Sequence, residues 1–197
     1  TLLLLVCAAA YFAGIGPYLV FDDFNVLVPL LDNQATIAAR DVLLSHTGSL
    51  GRPVSMLSFV LNIGIFGADV EYIKLVNIFI HLVTGLLLYF LSRHLLEMSG
   101  VVAHSWLPVI VAGVWLLHPL HVSTVLYAVQ RMTLLSSLFM AAGLLSYVAG
   151  RVRVSDNRKY GFLLIGITYL LCLPLAVLSK ENGFILPFYI FLIEMLF

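Results

Sequence analysis

The first twenty residues hold no charged side chain, and the first two charges then arrive together, as Asp22 and Asp23 within Phe21-Asp22-Asp23-Phe24-Asn25. An apolar run of that length matches the roughly 20 residues a helix needs to cross a hydrocarbon core of about 30 Å. The paired carboxylates are therefore expected where a first span meets water. The remainder repeats the pattern: 62% of the 197 residues are hydrophobic and 10% are charged, against about 25% charged in soluble domains. This composition assigns the chain to the polytopic membrane class. A formal net charge of zero with scattered Lys and Arg argues against a nucleic-acid partner, which needs a basic patch. Cys7 and Cys172 lie inside apolar runs and read as packing residues.

Hydropathy predicts an all-α, polytopic helical bundle with about six spans in this segment. They fall at residues 1–20, 72–91, 106–117 with part of the preceding Val101-Val102, 132–150 and 160–178, and at 184–197, which stops short of a crossing. Both ends read as cut, so residues 1–197 are expected to be part of a longer membrane domain. Ala8-Ala9-Ala10 could pass for a signal-peptide cleavage site, but the apolar run continues through Val20 without a basic flank, so it is read as a retained anchor.

Residues 21–71 are too polar for lipid and too long for a turn, which predicts an external loop with its own helices. Within it, residues 33–45 read as an amphipathic surface helix, and residues 54–66 as an interfacial or re-entrant one. In the second span, Lys74, Asn77, His81 and Thr84 recur at steps of three and four, so they share one helix face. That face should turn to the bundle interior or a wet cavity, with interhelical hydrogen bonds as the plainer use. Residues 92–105 read as a short polar connection.

Counting spans sorts the polar motifs by side. Asp22-Asp23, Gly51-Arg52-Pro53, His118-Pro119-Leu120-His121 with Gln130-Arg131, and Ser179-Lys180-Glu181 fall on one side. Arg151, Arg153, Arg158 and Lys159 fall on the other, which the positive-inside rule marks as cytoplasmic. Carboxylates can take a proton, and Arg and Lys can hold phosphate. A lipid with a phosphate-linked sugar could thus be held by Arg52, Arg131 and Lys180 while Asp22 or Asp23 acts as general base. Glu181, His118 and His121 are candidate substrate contacts.

Each residue also has a plainer reading. An Asp can cap a helix, Arg52 can anchor the helix start at Pro53, and interfacial Arg131 and Lys180 can snorkel to headgroups. Two carboxylates do not define a metal site, so a divalent metal is possible but not indicated, and none is assigned. A transporter using Lys74 and His81 as a path, and a lipid-linked oligosaccharide ligase or polymerase, are the competing functions.

The ordered set Phe-Asp-Asp-Phe, Gly-Arg-Pro, Leu-Val-Asn-Ile-Phe-Ile-His at residues 75–81, His-Pro-Leu-His, Gln-Arg and Ser-Lys-Glu-Asn-Gly resembles the membrane half of GT-C glycosyltransferases. More narrowly, it is similar to the transmembrane and tetratricopeptide-repeat O-mannosyltransferases and their bacterial relatives. The resemblance implies inverting transfer of a sugar from a polyprenyl-phosphate-linked donor to a hydroxyl of a protein or glycan acceptor. It implies a first-loop acid as base, with Asp22 and Asp23 matching the two acids of the pattern. It also makes Arg52, Arg131 and Lys180 the candidate donor-phosphate contacts. No cofactor beyond the donor is certain. The expected partners are the bilayer, the lipid-linked donor and the acceptor. The expected setting is a bacterial inner membrane with the site facing the periplasm, or the endoplasmic reticulum membrane in a eukaryote.

Overall fold

The computed structural model describes residues 2–32, 50–100 and 106–197, and all the regular elements among them are helical. In chain order these are α1 (Leu2–Phe12), α2 (Asp23–Asp32), α3 (Pro53–Phe66), α4 (Val70–Met98), α5 (Leu107–Leu116) and α6 (His121–Leu126). A 3-10 turn at Ala128–Gln130 leads into α7 (Arg131–Arg153). Then come α8 (Arg158–Ile167), a π-helical turn at Thr168–Cys172, α9 (Leu173–Ser179), a 3-10 turn at Glu181–Ile185 and α10 (Leu186–Leu196). The surface helix expected at residues 33–45 lies outside the described residues.

Among the described residues, three helical stretches are long and apolar enough to cross a membrane: Val70–Met98, Ala128–Arg153 and Arg158–Ser179. The expectation of about six spans is not supported. The apolar run at residues 1–20 gives only the 11-residue α1, because Gly14, Gly16 and Pro17 follow and disfavour further helix. The run at 106–117 gives the ten-residue α5. The run at 184–197 spends its start in a 3-10 turn before the 11-residue α10. Hydropathy counts apolar residues, whereas crossing needs an unbroken hydrogen-bond ladder. The connection expected at 92–105 also needs correcting, since α4 runs on to Met98. An Arg93–Glu97 ion pair one turn apart supports that last stretch.

Helices α4 and α7 lie side by side and run parallel. Asn77 meets Arg131 near their starts, and Leu91 packs with Val148 near their ends. α5 returns along α4, where Gly85 makes room for Leu116; a Cβ there would stand 2.4 Å from the Leu116 side chain. The α8–α9 stretch returns along α7. Its close approach needs Gly150, whose Cβ would meet the Gly161 carbonyl at 2.8 Å. The π turn is anchored by Thr168, which donates to the Gly143 carbonyl at 3.0 Å.

The polar face of α4 makes the broken helices tolerable. Lys74, Asn77, His81 and Thr84 are all buried. Lys74 Nζ donates to the carbonyls of Gly16 and Tyr18, both at 2.8 Å, just beyond α1. Asn77 Nδ2 donates to the carbonyls of Val125, Tyr127 and Ala128 around the end of α6. His81 Nε2 meets the Leu116 carbonyl at 3.0 Å; since a carbonyl only accepts, this nitrogen carries the proton. Thr84 donates back to Ile80. Carbonyls released at helix ends need partners in apolar surroundings, and three residues of this stripe supply them. All four polar residues thus make hydrogen bonds inside the helical bundle, the plainer of the two uses expected for this face.

Candidate functional site

The 3-10 turn at Ala128–Gln130 and the first turn of α7 form a hub that three distant parts of the chain grip. The first is the carboxylate pair. Phe21 has φ 50°, in the left-handed region that a residue with a Cβ rarely adopts. Of its two successors, one is buried and the other exposed. Asp23 is fully buried: Oδ1 accepts from the Val129 N–H at 2.7 Å, and Oδ2 from the N–H groups of Val20 at 3.0 Å and Ala128 at 3.4 Å. Asp22 is exposed, and its carbonyl accepts the first helical hydrogen bond of α2, from Val26. A general base must come within about 2.6–3.2 Å of the proton it removes, directly or through one water. Asp22 has that access, whereas Asp23 is spent on three backbone amides.

The second grip is Arg131, whose side chain turns inward and is fully buried. Nε donates to Asn77 Oδ1 at 2.9 Å and Nη1 to the Ser58 carbonyl at 3.2 Å. Nη2 donates to Asn62 Oδ1 at 2.8 Å and the Ile73 carbonyl at 2.7 Å, and the guanidinium lies 4.8 Å from the centre of the Phe59 ring. A buried charge is tolerable only when its donors are matched, and here neutral oxygens from α3 and α4 match them. This arrangement ties α3, α4 and α7 together and leaves the guanidinium closed to solvent.

The third grip brings Arg52, Lys180 and Glu181 together. Arg52 sits at φ 47°, directly after Gly51 at φ 69° and before Pro53, the first residue of α3. Its Nε and Nη2 both donate to Glu181 Oε2, at 3.1 and 2.9 Å, and its Nη1 lies 3.3 Å from Met132 Sδ. The Arg52 and Glu181 side chains keep 23% and 28% exposure, so this ion pair stands open to an incoming group. Lys180 Nζ donates to Thr133 Oγ1 at 2.7 Å. Burial pulls the Lys180 ammonium below the ordinary lysine range; the Arg52 charge lowers it further, and Glu181 partly offsets both. Phe21 and Arg52 are the non-glycine residues with positive φ among the described residues, and both adjoin or belong to this hub.

His118 and His121 lie apart, in an aromatic nest on the α5–α6 connection. His121 is 4.7 Å from the Trp115 ring and 5.5 Å from the His81 ring, and His118 is 6.1 Å from His121. Burial first and the neighbouring His118 second push the His121 imidazole below its ordinary value, so it stays neutral to lower pH. Among the described residues, no group of three or more His, Cys, Asp and Glu is placed to hold a metal ion.

Sequence reasoning missed Asn62 and Thr133. For Asn62 a signal existed: Ser55, Phe59 and Asn62 are spaced by four and three and are all buried on one face of α3, the same periodicity that marked α4. For Thr133 there was none, because a lone Thr in an apolar helix is unremarkable until its neighbour is known.

Over 183 residues, 88% of this chain, the sequence is 27% identical to protein O-mannosyl-transferase F38B6.6 of Caenorhabditis elegans. The chain spans about a quarter, 24%, of that protein's length. No family model matches the chain, and no solved structure matches it significantly. The similarity, with three helices long and apolar enough to cross a membrane among the described residues, points to a relationship with membrane glycosyltransferases.

Proposed function

We propose that this segment forms the donor end of a membrane glycosyltransferase that moves a sugar from a polyprenyl-phosphate carrier to a hydroxyl acceptor on the non-cytoplasmic face. The observation that carries this reading is the convergence of Asp22's loop, Arg52 and Lys180-Glu181 on residues 128–133. Asp23 holds Val129 and Lys180 holds Thr133, residues that stand about one helical turn apart. Arg52 and Lys180 are the phosphate contacts in this account: a planar fork beside a point charge suits a phosphodiester anion. Asp22 is the base, since it is the solvent-open member of the pair. Asp23 and Arg131 position the loop and the helices and do not touch the donor. Left-handed backbone at Phe21 and Arg52 supports the reading, because strain of about 1–3 kcal/mol per residue persists mainly where function requires it.

The likeness to a protein O-mannosyl-transferase makes mannose the first sugar to try. The test is to give the full-length protein, in lipid nanodiscs, polyprenyl-phosphate mannose with a hydroxyl-bearing acceptor peptide pool. Release of polyprenyl phosphate that falls at least tenfold in Arg52→Gln and Lys180→Met supports the proposal. Release that is unaffected by both substitutions contradicts it.

A further inference from the structure

We infer that Thr133 is a positioning residue for donor binding, fixing the Lys180 ammonium beside Arg52. The inference rests on the proposed function, since it takes Lys180 as a phosphate contact.

The geometry is directional. Thr133 Oγ1 donates to Gln130 Oε1 at 2.6 Å, an amide oxygen that can only accept. The single hydroxyl proton is therefore committed to Gln130, and the Thr133 lone pairs are left to accept from Lys180 Nζ at 2.7 Å. Gln130 and Thr133 lie one turn apart at the start of α7, so the relay is built on a rigid element. Lysine otherwise has a flexible four-carbon stem and three rotatable donors. Backbone contacts hold only the base of that stem: the Lys180 carbonyl accepts from Ser136 Oγ at 3.5 Å, and the preceding Ser179 carbonyl from Ser55 at 2.9 Å. Thr133 is what sets its tip.

Thr133 also bears on the charge. The charged groups acting on Lys180 are Arg52, in the turn before α3, and Glu181, on its own turn; α7 brings the neutral hydroxyls of Thr133 and Ser136. Burial and Arg52 disfavour the ammonium, while a hydroxyl held as an acceptor favours it. Thr133→Val keeps the shape and removes that acceptor. Lys180 should then lose its proton at a lower pH.

The experiment measures binding of sugar-free polyprenyl phosphate to the full-length protein in nanodiscs across an alkaline pH series. Thr133→Val is expected to weaken binding about 5–10-fold and to move the alkaline fall in affinity to lower pH, with Thr133→Ser within twofold of wild type. Gln130→Leu, which frees the hydroxyl proton to turn toward the ammonium, should act in the same direction by about 2–3-fold. Should Thr133→Val bind within twofold of wild type with an unmoved alkaline limb while Lys180→Met loses tenfold or more, Thr133 has no positioning role. Should Lys180→Met also bind normally, the lysine is no donor contact and the proposed function itself loses that residue. A Thr133→Val loss that Thr133→Ser shares equally would mean bulk packing and would likewise overturn the inference.

Discussion

The two ends of α7, about 34 Å apart at 1.5 Å per residue, handle charge in opposite ways. At its start, Asp23, Arg131, Arg52 and Lys180 are buried or half-buried, and each is tied to a partner far away in sequence. At its other end, Arg151 pairs with the exposed Glu194 of α10, while Arg153 and Arg158 lie over the rings of Tyr160 and Phe162. The first arrangement demands that several chain segments be in register before any charge is satisfied. In the second, Arg153 and Arg158 find their partners within seven positions, and the Arg151–Glu194 pair, though it joins two helices, stays in contact with water. The difference is water: charge taken out of solvent must be matched by fixed partners, whereas the half-exposed pair at the far end is screened.

The sharpest way to break this contrast is Arg131→Met. It removes a cation but strands the side-chain oxygens of Asn77 and Asn62 and the Ile73 carbonyl in a buried setting, so a stability loss of about 3–5 kcal/mol is expected from unfolding in detergent. A loss under 1 kcal/mol would mean that the buried network is not a structural tie. Asp23→Asn should cost about 2–3 kcal/mol, because an amide nitrogen is placed among backbone N–H donors and a charge-assisted bond is lost. Arg151→Gln, at the other end, should change stability by about 0–1 kcal/mol in the same assay, since a half-exposed ion pair is screened. An Arg151 effect as large as that of Arg131 would erase the distinction.

The smallest effect concerns pH. Lys180 is held below its unfolded value, so between the two values the unfolded chain carries the extra proton and stability rises with pH. Replacing Lys180 with Met should flatten that alkaline rise in unfolding measured over a pH series. An unchanged slope would show that the lysine is not held low.

Much of this was legible in the sequence where periodicity or order carries the information. Steps of three and four put Lys74, Asn77, His81 and Thr84 on one face, and they are buried together. Counting spans put Asp22-Asp23, Gly51-Arg52-Pro53, His118 to His121 with Gln130-Arg131, and Ser179-Lys180-Glu181 on one side. Asp23, Arg52, Arg131 and Lys180 do meet around the start of α7, while the two histidines lie apart and two of the runs used in that count give helices of only 11 and 10 residues. The number of spans was not legible, because residues 1–20 are uniformly apolar and yet Gly14, Gly16 and Pro17 end the helix. Nor could the sequence separate Asp22 from Asp23, identical neighbours of which one is exposed and the other buried against the amides of Val20, Ala128 and Val129. The inward turn of Arg131 was equally hidden: its acceptors come from residues 54–73 positions earlier in the chain, on two other helices.

The most direct test of the central claim is Asp22→Asn in the full-length protein, with turnover of polyprenyl-phosphate mannose and thermal unfolding measured on the same preparation. Turnover should fall about 10²–10⁴-fold, the usual contribution of a general base, with unfolding unchanged because this side chain is exposed. Wild-type turnover in Asp22→Asn would contradict the claim.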